Sequence, residues 1–364
     1  MKKWFDIAVL VTLVSIVACT KVDRADIPVK ISYAVASYVH TTKAGELNLK
    51  DDEGITTFRS KAWLHAAGGS TSDEFLDEVI SWDGSEWSPS RDIYWPKHPQ
   101  SYLNFVSWHA NDGNADIIPD SVTETTFSIL SHTVGAQDCI LLADEAWRQT
   151  SNSTTYGYNG VTAGVPTLFR HMLTRVKVNM RASLDSDPDN NTVTYEVILQ
   201  EAHLEGIFRT GSLSLYTMDP NTNGTSIWRS SSSPNLLWAP VQGSNTGNIV
   251  FVNSNTALTT SATTIMAERS FMPQALNTSA MKMVITYTVI TKSNGVATST
   301  EYDIPATIVL NTIKNTSGVA INQWVPNKIY TYNIAINPIN QEILLNPTIE
   351  DWNGDVNTIS ISVE

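Results

Sequence analysis

The chain has 364 residues, with 36 acidic against 23 basic side chains and a net charge of −13. That length exceeds one ordinary sandwich and suits two domains with sizeable cores. An acidic balance without any basic cluster weighs against nucleic acid as a partner and against electrostatic docking on anionic lipid.

The chain opens with Lys2 and Lys3, runs apolar over residues 7–17 and closes on Ala18-Cys19. The apolar run is shorter than the ~20 residues of a spanning helix, so residues 1–18 read as a lipoprotein signal peptide and not as structure. The Cys19 thiol would take a diacylglyceryl group, and cleavage would free its amine for a further acyl chain. Two or more chains anchor stably where one binds only marginally. This covalent lipid is the only prosthetic group expected. Thr20, Lys21 and Val22 lack the aspartate that signals inner-membrane retention in many Gram-negative lipoproteins, so the outer membrane is the expected location. With Cys19 lipidated, Cys139 stands alone, no intramolecular disulfide is available, and the fold must hold by packing. Cys139 lies in an apolar run and reads as a buried structural thiol.

Beyond the signal, strands and turns occupy almost the whole sequence. Residues 27–35 place Ile27, Val29, Ile31, Tyr33 and Val35 on one face, the period-2 pattern of a half-buried strand. Further strands are predicted at residues 103–108, 176–180, 193–199, 283–290 and 329–336, separated by Asn, Ser, Thr, Gly and Pro clusters. The loosely apolar stretch from Ser151 to Pro166 is the expected boundary, which gives an N-terminal domain of residues 19–165 and a C-terminal domain of residues 166–364. The predicted class is all-β, two sandwiches in tandem.

Few residues invite chemistry. Asp185, Asp187 and Asp189, with Glu196 at the twelfth position, mimic a calcium-loop ladder, but Asn190 stands where Gly is needed, Pro188 interrupts it and the flanks are strands. An acidic hairpin is the preferred reading, with these four carboxylates a weak metal candidate. His171 reads as a satisfied core or edge histidine on the face opposite Phe169, and the seven histidines show no metal spacing. The 11 tryptophans are expected mainly in cores, the alternative being an exposed carbohydrate platform. No Ser-His-Asp elbow, P-loop, Rossmann glycine set or catalytic carboxylate pair is present, so no enzyme is expected.

Several local signatures occur in a telling order: Trp82-Asp83-Gly84 with Trp87, then Tyr94-Trp95-Pro96 and Leu103-Asn104-Phe105-Val106-Ser107-Trp108; Gln137-Asp138-Cys139-Ile140-Leu141-Leu142-Ala143; Leu168-Phe169-Arg170-His171-Met172-Leu173-Thr174-Arg175-Val176; Phe271-Met272-Pro273-Gln274-Ala275-Leu276; and Ile349-Glu350-Asp351-Trp352. Together they span nearly the whole mature chain and resemble the Bacteroidetes fimbrillins, subunits of type V pili and related surface lipoproteins. The resemblance implies two transthyretin-like sandwiches after the signal peptide. It also implies assembly by donor-strand exchange, in which a trypsin-like protease removes the lipidated first strand and an incoming C-terminal strand fills the groove. In this chain the removable strand would be residues 27–37. The donor would be residues 358–363, with Ile359, Ile361 and Val363 on one face. Lys43 is the first candidate cleavage point and Arg59 the second; the best-known members use arginine. The implied partners are other pilus subunits, the outer membrane through lipid, and an adhesion target on a host or bacterial surface. The alternatives are a permanently lipidated anchor subunit and a glycan-binding outer-membrane lipoprotein, with a secreted hydrolase ranked last.

Overall fold

The computed structural model describes residues 30–37, 49–66, 72–96, 101–149, 164–217, 225–226, 228–231, 236–314 and 318–352. Cys19, Lys43, Ile359, Ile361 and Val363 lie outside them. The first half comprises β1 (Tyr33–Ser37), α1 (Leu49–Glu53), β2 (Thr57–His65), β3 (Ser72–Trp82), β4 (Trp87–Pro89), β5 (Tyr102–Asn111), β6 (Ser121–Val122), β7 (Thr126–Thr133), β8 (Cys139–Ala143), β9 (Glu145–Gln149) and β10 (Val165–His171). The second half holds β11 (Thr174–Ala182), β12 (Ser186–Asp187), β13 (Asn190–Glu205), β14 (Thr210–Tyr216), β15 (Thr225–Ser226), β16 (Trp238–Pro240), β17 (Ile249–Val252) and β18 (Thr256–Leu258). It continues with β19 (Thr263–Phe271), β20 (Gln274–Ala275), β21 (Lys282–Ser293), β22 (Val296–Val309), β23 (Gln323–Trp324), β24 (Lys328–Asn337) and β25 (Glu342–Asp351). The all-β expectation holds, and the strands predicted at residues 103–108, 176–180, 193–199, 283–290 and 329–336 each lie inside an observed one.

The nine-stranded sheet runs β15-β9-β5-β2-β3-β4-β1-β10-β8, and β8 pairs back onto β5. The strands β5-β2-β3-β4-β1-β10-β8 therefore close on themselves. Closure removes the exposed edges that an open sheet would present. Alternate side chains fill the interior, among them Ile31, Tyr33, Phe58, Ile80, Leu103, Phe105 and Phe169. β5 is buried on both faces, because Leu103 and Phe105 point inward while Val106 and Trp108 belong to a second cluster outside the ring. That outer cluster is roofed by the four-stranded sheet β16-β14-β7-β6.

In the second half, the sheet β19-β11-β24-β25 packs on a six-stranded sheet in which β12-β13-β21-β22 run in order while β17 and β18 also pair with β13. Val176, Val178 and Met180 of β11 meet Val197, Leu199 and Leu204 of β13 in one core. Burying each such side chain contributes roughly 1.5–3 kcal/mol, so this core dominates the local energetics. Trp324, fully buried, donates its indole N–H to the Tyr332 hydroxyl at 2.9 Å, so the large ring enters the core with its polar atom satisfied.

The boundary expected between residues 165 and 166 lies next to a change of sheet. It falls inside β10, which pairs with β1 and β8 and so belongs to the first closed sheet. The chain changes sheets at Met172-Leu173, both buried. It then returns, since β14 and β16 join β7 in the roof over the ring and β15 pairs with β9. The two units are thus not two consecutive halves. Leu213 and Leu215 need an apolar surface, and the outer face of β5 and β8 offers one. The first unit is accordingly a closed sheet with a roof.

One turn depends on glycine. Gly206 has φ of +73°, and a Cβ there would lie 2.4 Å from the Ala280 carbonyl oxygen. Gly206→Ala is expected to cost about 2 kcal/mol through left-handed strain and backbone displacement, read as a lower urea midpoint at unchanged slope.

Candidate assembly site

β1 is a single stave in the wall of the closed sheet. On one side it runs parallel to β10 in a five-residue register, from Tyr33 opposite Val165 to Ser37 opposite Phe169. On the other side it meets β4 only where Tyr33 faces Trp87, with a further bridge from Lys30 to Tyr94. The Ile31 N–H donates to the Ile93 carbonyl at 2.8 Å, and the Val165 N–H to the Ser32 carbonyl at 2.7 Å. Gly164 makes this approach possible, because at φ of +76° a Cβ would stand 3.0 Å from the Ala34 nitrogen.

The inward face of β1 follows the predicted alternation. Ile31 and Tyr33 are buried, Val35 is half-buried against the same core, and Ala34 is exposed. Tyr33 packs edge-on against Phe58 at 5.5 Å and Phe105 at 6.0 Å. Phe58 in turn meets Phe169 at 5.2 Å and Trp87 at 5.3 Å. The Tyr33 hydroxyl is buried next to Ser60 without a hydrogen bond of ordinary geometry. Burial pushes this phenol well above the usual tyrosine range, with Ser60 acting the other way. An aromatic slot lies beneath β1, shaped for side chains at alternate positions. Ile27 and Val29 lie outside the described residues.

Below the slot, α1 is tied to the end of β10. His171 Nε2 donates to the Glu53 carboxylate at 3.2 Å, and the His171 ring stacks on Trp352 at 3.6 Å. The Arg175 guanidinium lies 4.1 Å over the same indole. His171 shares a face with Thr167 and Phe169 and is buried, which corrects its expected position opposite Phe169; residues two apart on a strand point the same way. The described residues end at Trp352, and the predicted donor strand, residues 358–363, lies outside them.

The other sequence candidates are placed as follows. Arg59 sits in mid-β2, paired on both sides with β3 and β5, and is ion-paired to Asp77 at 2.7 Å. A protease takes its substrate as an extended chain in its own cleft, so cutting there would require β2 to leave two neighbours. Glu196 pairs with Lys292 at 2.7 Å, and the Asp187 carboxylate accepts the Asp189 N–H, closing a turn. Among the described residues no group of three or more His, Cys, Asp or Glu side chains is placed to hold a metal. Cys139 is half-buried, and burial first, then the Glu53 charge, push its thiol up to about 12. A thiol held protonated is a poor nucleophile. None of the described tryptophans is exposed. Their indoles serve cores, as when Trp228 donates to the Ala143 carbonyl and Trp238 to the Met172 carbonyl.

A family model described as fimbrillin-like matches residues 42–352. The chain belongs to the fimbrillin-like family. Among solved structures, this fimbrillin-like chain is similar in fold to a fimbrial protein from Bacteroides vulgatus, at 13% identity and a TM-score of 0.54, covering 89% of this chain and 100% of that one. A putative cell adhesion protein from Bacteroides uniformis aligns at 14% identity and a TM-score of 0.45, over 90% and 99%. The fimbrial anchor protein Mfa2 from Porphyromonas gingivalis aligns at 12% identity and a TM-score of 0.33, over 93% and 100%. A search of curated proteins gives no match. Membership of the fimbrillin-like family supports a structural, non-enzymatic role as a pilus subunit at the cell surface, in assembly with other subunits.

The sequence missed part of the slot. Residues 165–171 alternate Val165, Thr167, Phe169 and His171 inward, a legible strand, but nothing in them names β1 as the neighbour. Burial holds the His171 imidazole below the ordinary value of 6.5, partly opposed by Glu53 and reinforced by Arg175. His109, bonded to the Thr57 carbonyl, is lowered by burial too. The folded state then binds fewer protons than the unfolded one, so the full contribution is present above pH 6.5 and is lost as pH falls through the depressed values. The thermal unfolding midpoint is expected to fall from pH 7.5 to pH 5, and His171→Gln should flatten that slope.

Proposed function

We propose that this protein is a pilus subunit exported as a lipoprotein on Cys19 and assembled by strand replacement at the β1 position. In this reading a trypsin-like protease cuts at Lys43, β1 leaves with the lipid, and residues 358–363 of the next subunit take its place. The observation that carries it is the one-strand slot between β4 and β10, filled by side chains at alternate positions of a single terminal strand. Ile359, Ile361 and Val363 have the same i, i+2, i+4 spacing as Ile31, Tyr33 and Val35. Main-chain pairing would supply affinity and the alternate apolar side chains would supply register.

Magnitudes favour exchange over simple loss. Removing three inward apolar side chains forfeits roughly 1.5–3 kcal/mol each, a large share of the about 5–15 kcal/mol that stabilises a domain. A subunit without β1 is therefore poised to take a replacement. Lys43 is preferred over Arg59 because of the double pairing of β2.

Treating the full chain with a trypsin-like protease is expected to yield a new amino terminus at Ala44 and SDS-resistant ladders. Lys43→Ala should block both, whereas Arg59→Ala should block neither. Deleting residues 358–364 should leave trimming intact and abolish the ladders. Trimming that yields only monomer would overturn strand replacement and leave the permanently lipidated anchor, identified by a blocked Cys19 on protein purified from cells.

A further inference from the structure

Two arginines converge where the roof strands meet the second sandwich. Arg269, on β19, and Arg209, immediately before β14, line one narrow cleft of about 10 Å³ together with Ser270 and Phe208. Arg269 is half-buried over the Phe271 ring at 5.4 Å, and its Nε is enclosed without any hydrogen-bond partner. Arg209 is exposed, and its backbone is fixed by the Val134 N–H donating to its carbonyl at 2.8 Å.

The nearby carboxylates are engaged elsewhere. Glu268, adjacent on β19 and so directed to the other face, pairs with Arg175, while Asp138 accepts from the Gly135 N–H and pairs with His132. Among the described residues, therefore, no carboxylate pairs with either of the two guanidinium groups that share this cleft, in a chain of net charge −13. Such a pair is unfavourable by itself, and a buried donor left without a partner costs about 1–3 kcal/mol. Burial first, and then the Arg209 charge, hold the Arg269 guanidinium below the ordinary arginine range. In a folded protein an orphaned buried donor of this kind calls for a specific partner.

We propose that the Arg209–Arg269 cleft binds a single oxyanion, of carboxylate or phosphate type, which bridges the roof of the first unit to the second sandwich. The cleft admits about one oxygen atom, so one oxygen of the anion enters between the two arginines while the rest faces solvent on the exposed Arg209 side. Planar guanidinium forks suit such two-oxygen groups better than ammonium does. The anion comes either from solution or from a carboxylate side chain of a second copy of the chain.

The test uses the full chain and three probes, sodium phosphate, sodium acetate and sodium chloride, at matched ionic strength. Thermal unfolding should shift upward saturably with phosphate or acetate and not with chloride. Arg269→Met and Arg209→Met should each weaken the apparent affinity at least tenfold, and Arg269→Met should not lower the melting temperature in chloride alone. Arg269→Lys, which keeps the charge and loses the fork, should behave like Arg269→Met. A free anion leaves the sedimentation coefficient unchanged. A carboxylate of a second copy instead produces an associated species that phosphate dissociates and that either Met variant abolishes. Equal shifts in all three salts, or shifts unaffected in both Met variants, with no association sensitive to them, would overturn the site.

Discussion

A closed sheet has no edge only while every stave is in place, and here the stave between β4 and β10 is a five-residue strand near the amino terminus. Its parallel pairing with β10 is the constraint on which the first unit rests. Parallel neighbours cannot be joined by a tight turn, and in this chain Tyr33 meets a residue as distant as Val165. The wall therefore closes through a long-range contact and not through a local turn.

The roof and the interior solve a single packing problem. β5 has apolar side chains on both faces, so one sheet cannot satisfy it, and β14 and β16 return from the second half to cover its outer side. Trp228 and Trp238 fill that layer, with their indole N–H groups on backbone carbonyls of the barrel side. Trp352, stacked on His171, brings the end of the described chain to the same seam. The two units consequently share a core layer, and the chain crosses it more than once.

Charge is handled by local pairing on the surface and by few, committed groups inside. Arg170 forks onto the buried Asp144 through two bonds of 2.7 Å, an arrangement that satisfies an otherwise costly carboxylate. Against this habit, Arg209 and Arg269 have no carboxylate partner among the described residues. Exposed pairs such as Lys30 with Asp92 contribute little to stability and mainly keep the surface soluble.

Much of the fold was legible in the sequence because period-2 alternation is a local property. Ile31 and Tyr33 face inward as their spacing required, and the strands around residues 103–108, 176–180 and 329–336 lie where their alternation placed them. The order of aromatic motifs was enough to suggest the family. Alternation names the buried face of a strand but not the strand beside it, so the assignment of β10 to the first sheet, the return of β14 and β16, and the closure of β8 onto β5 could not be read. Those pairings are decided by which apolar faces remain uncovered once the local elements exist, a property of the assembled surface. The sequence alone therefore determined the all-β class and the inward residues of the first strand; only the tertiary structure decided that this strand completes a barrel wall, because closure depends on contacts between residues more than a hundred positions apart.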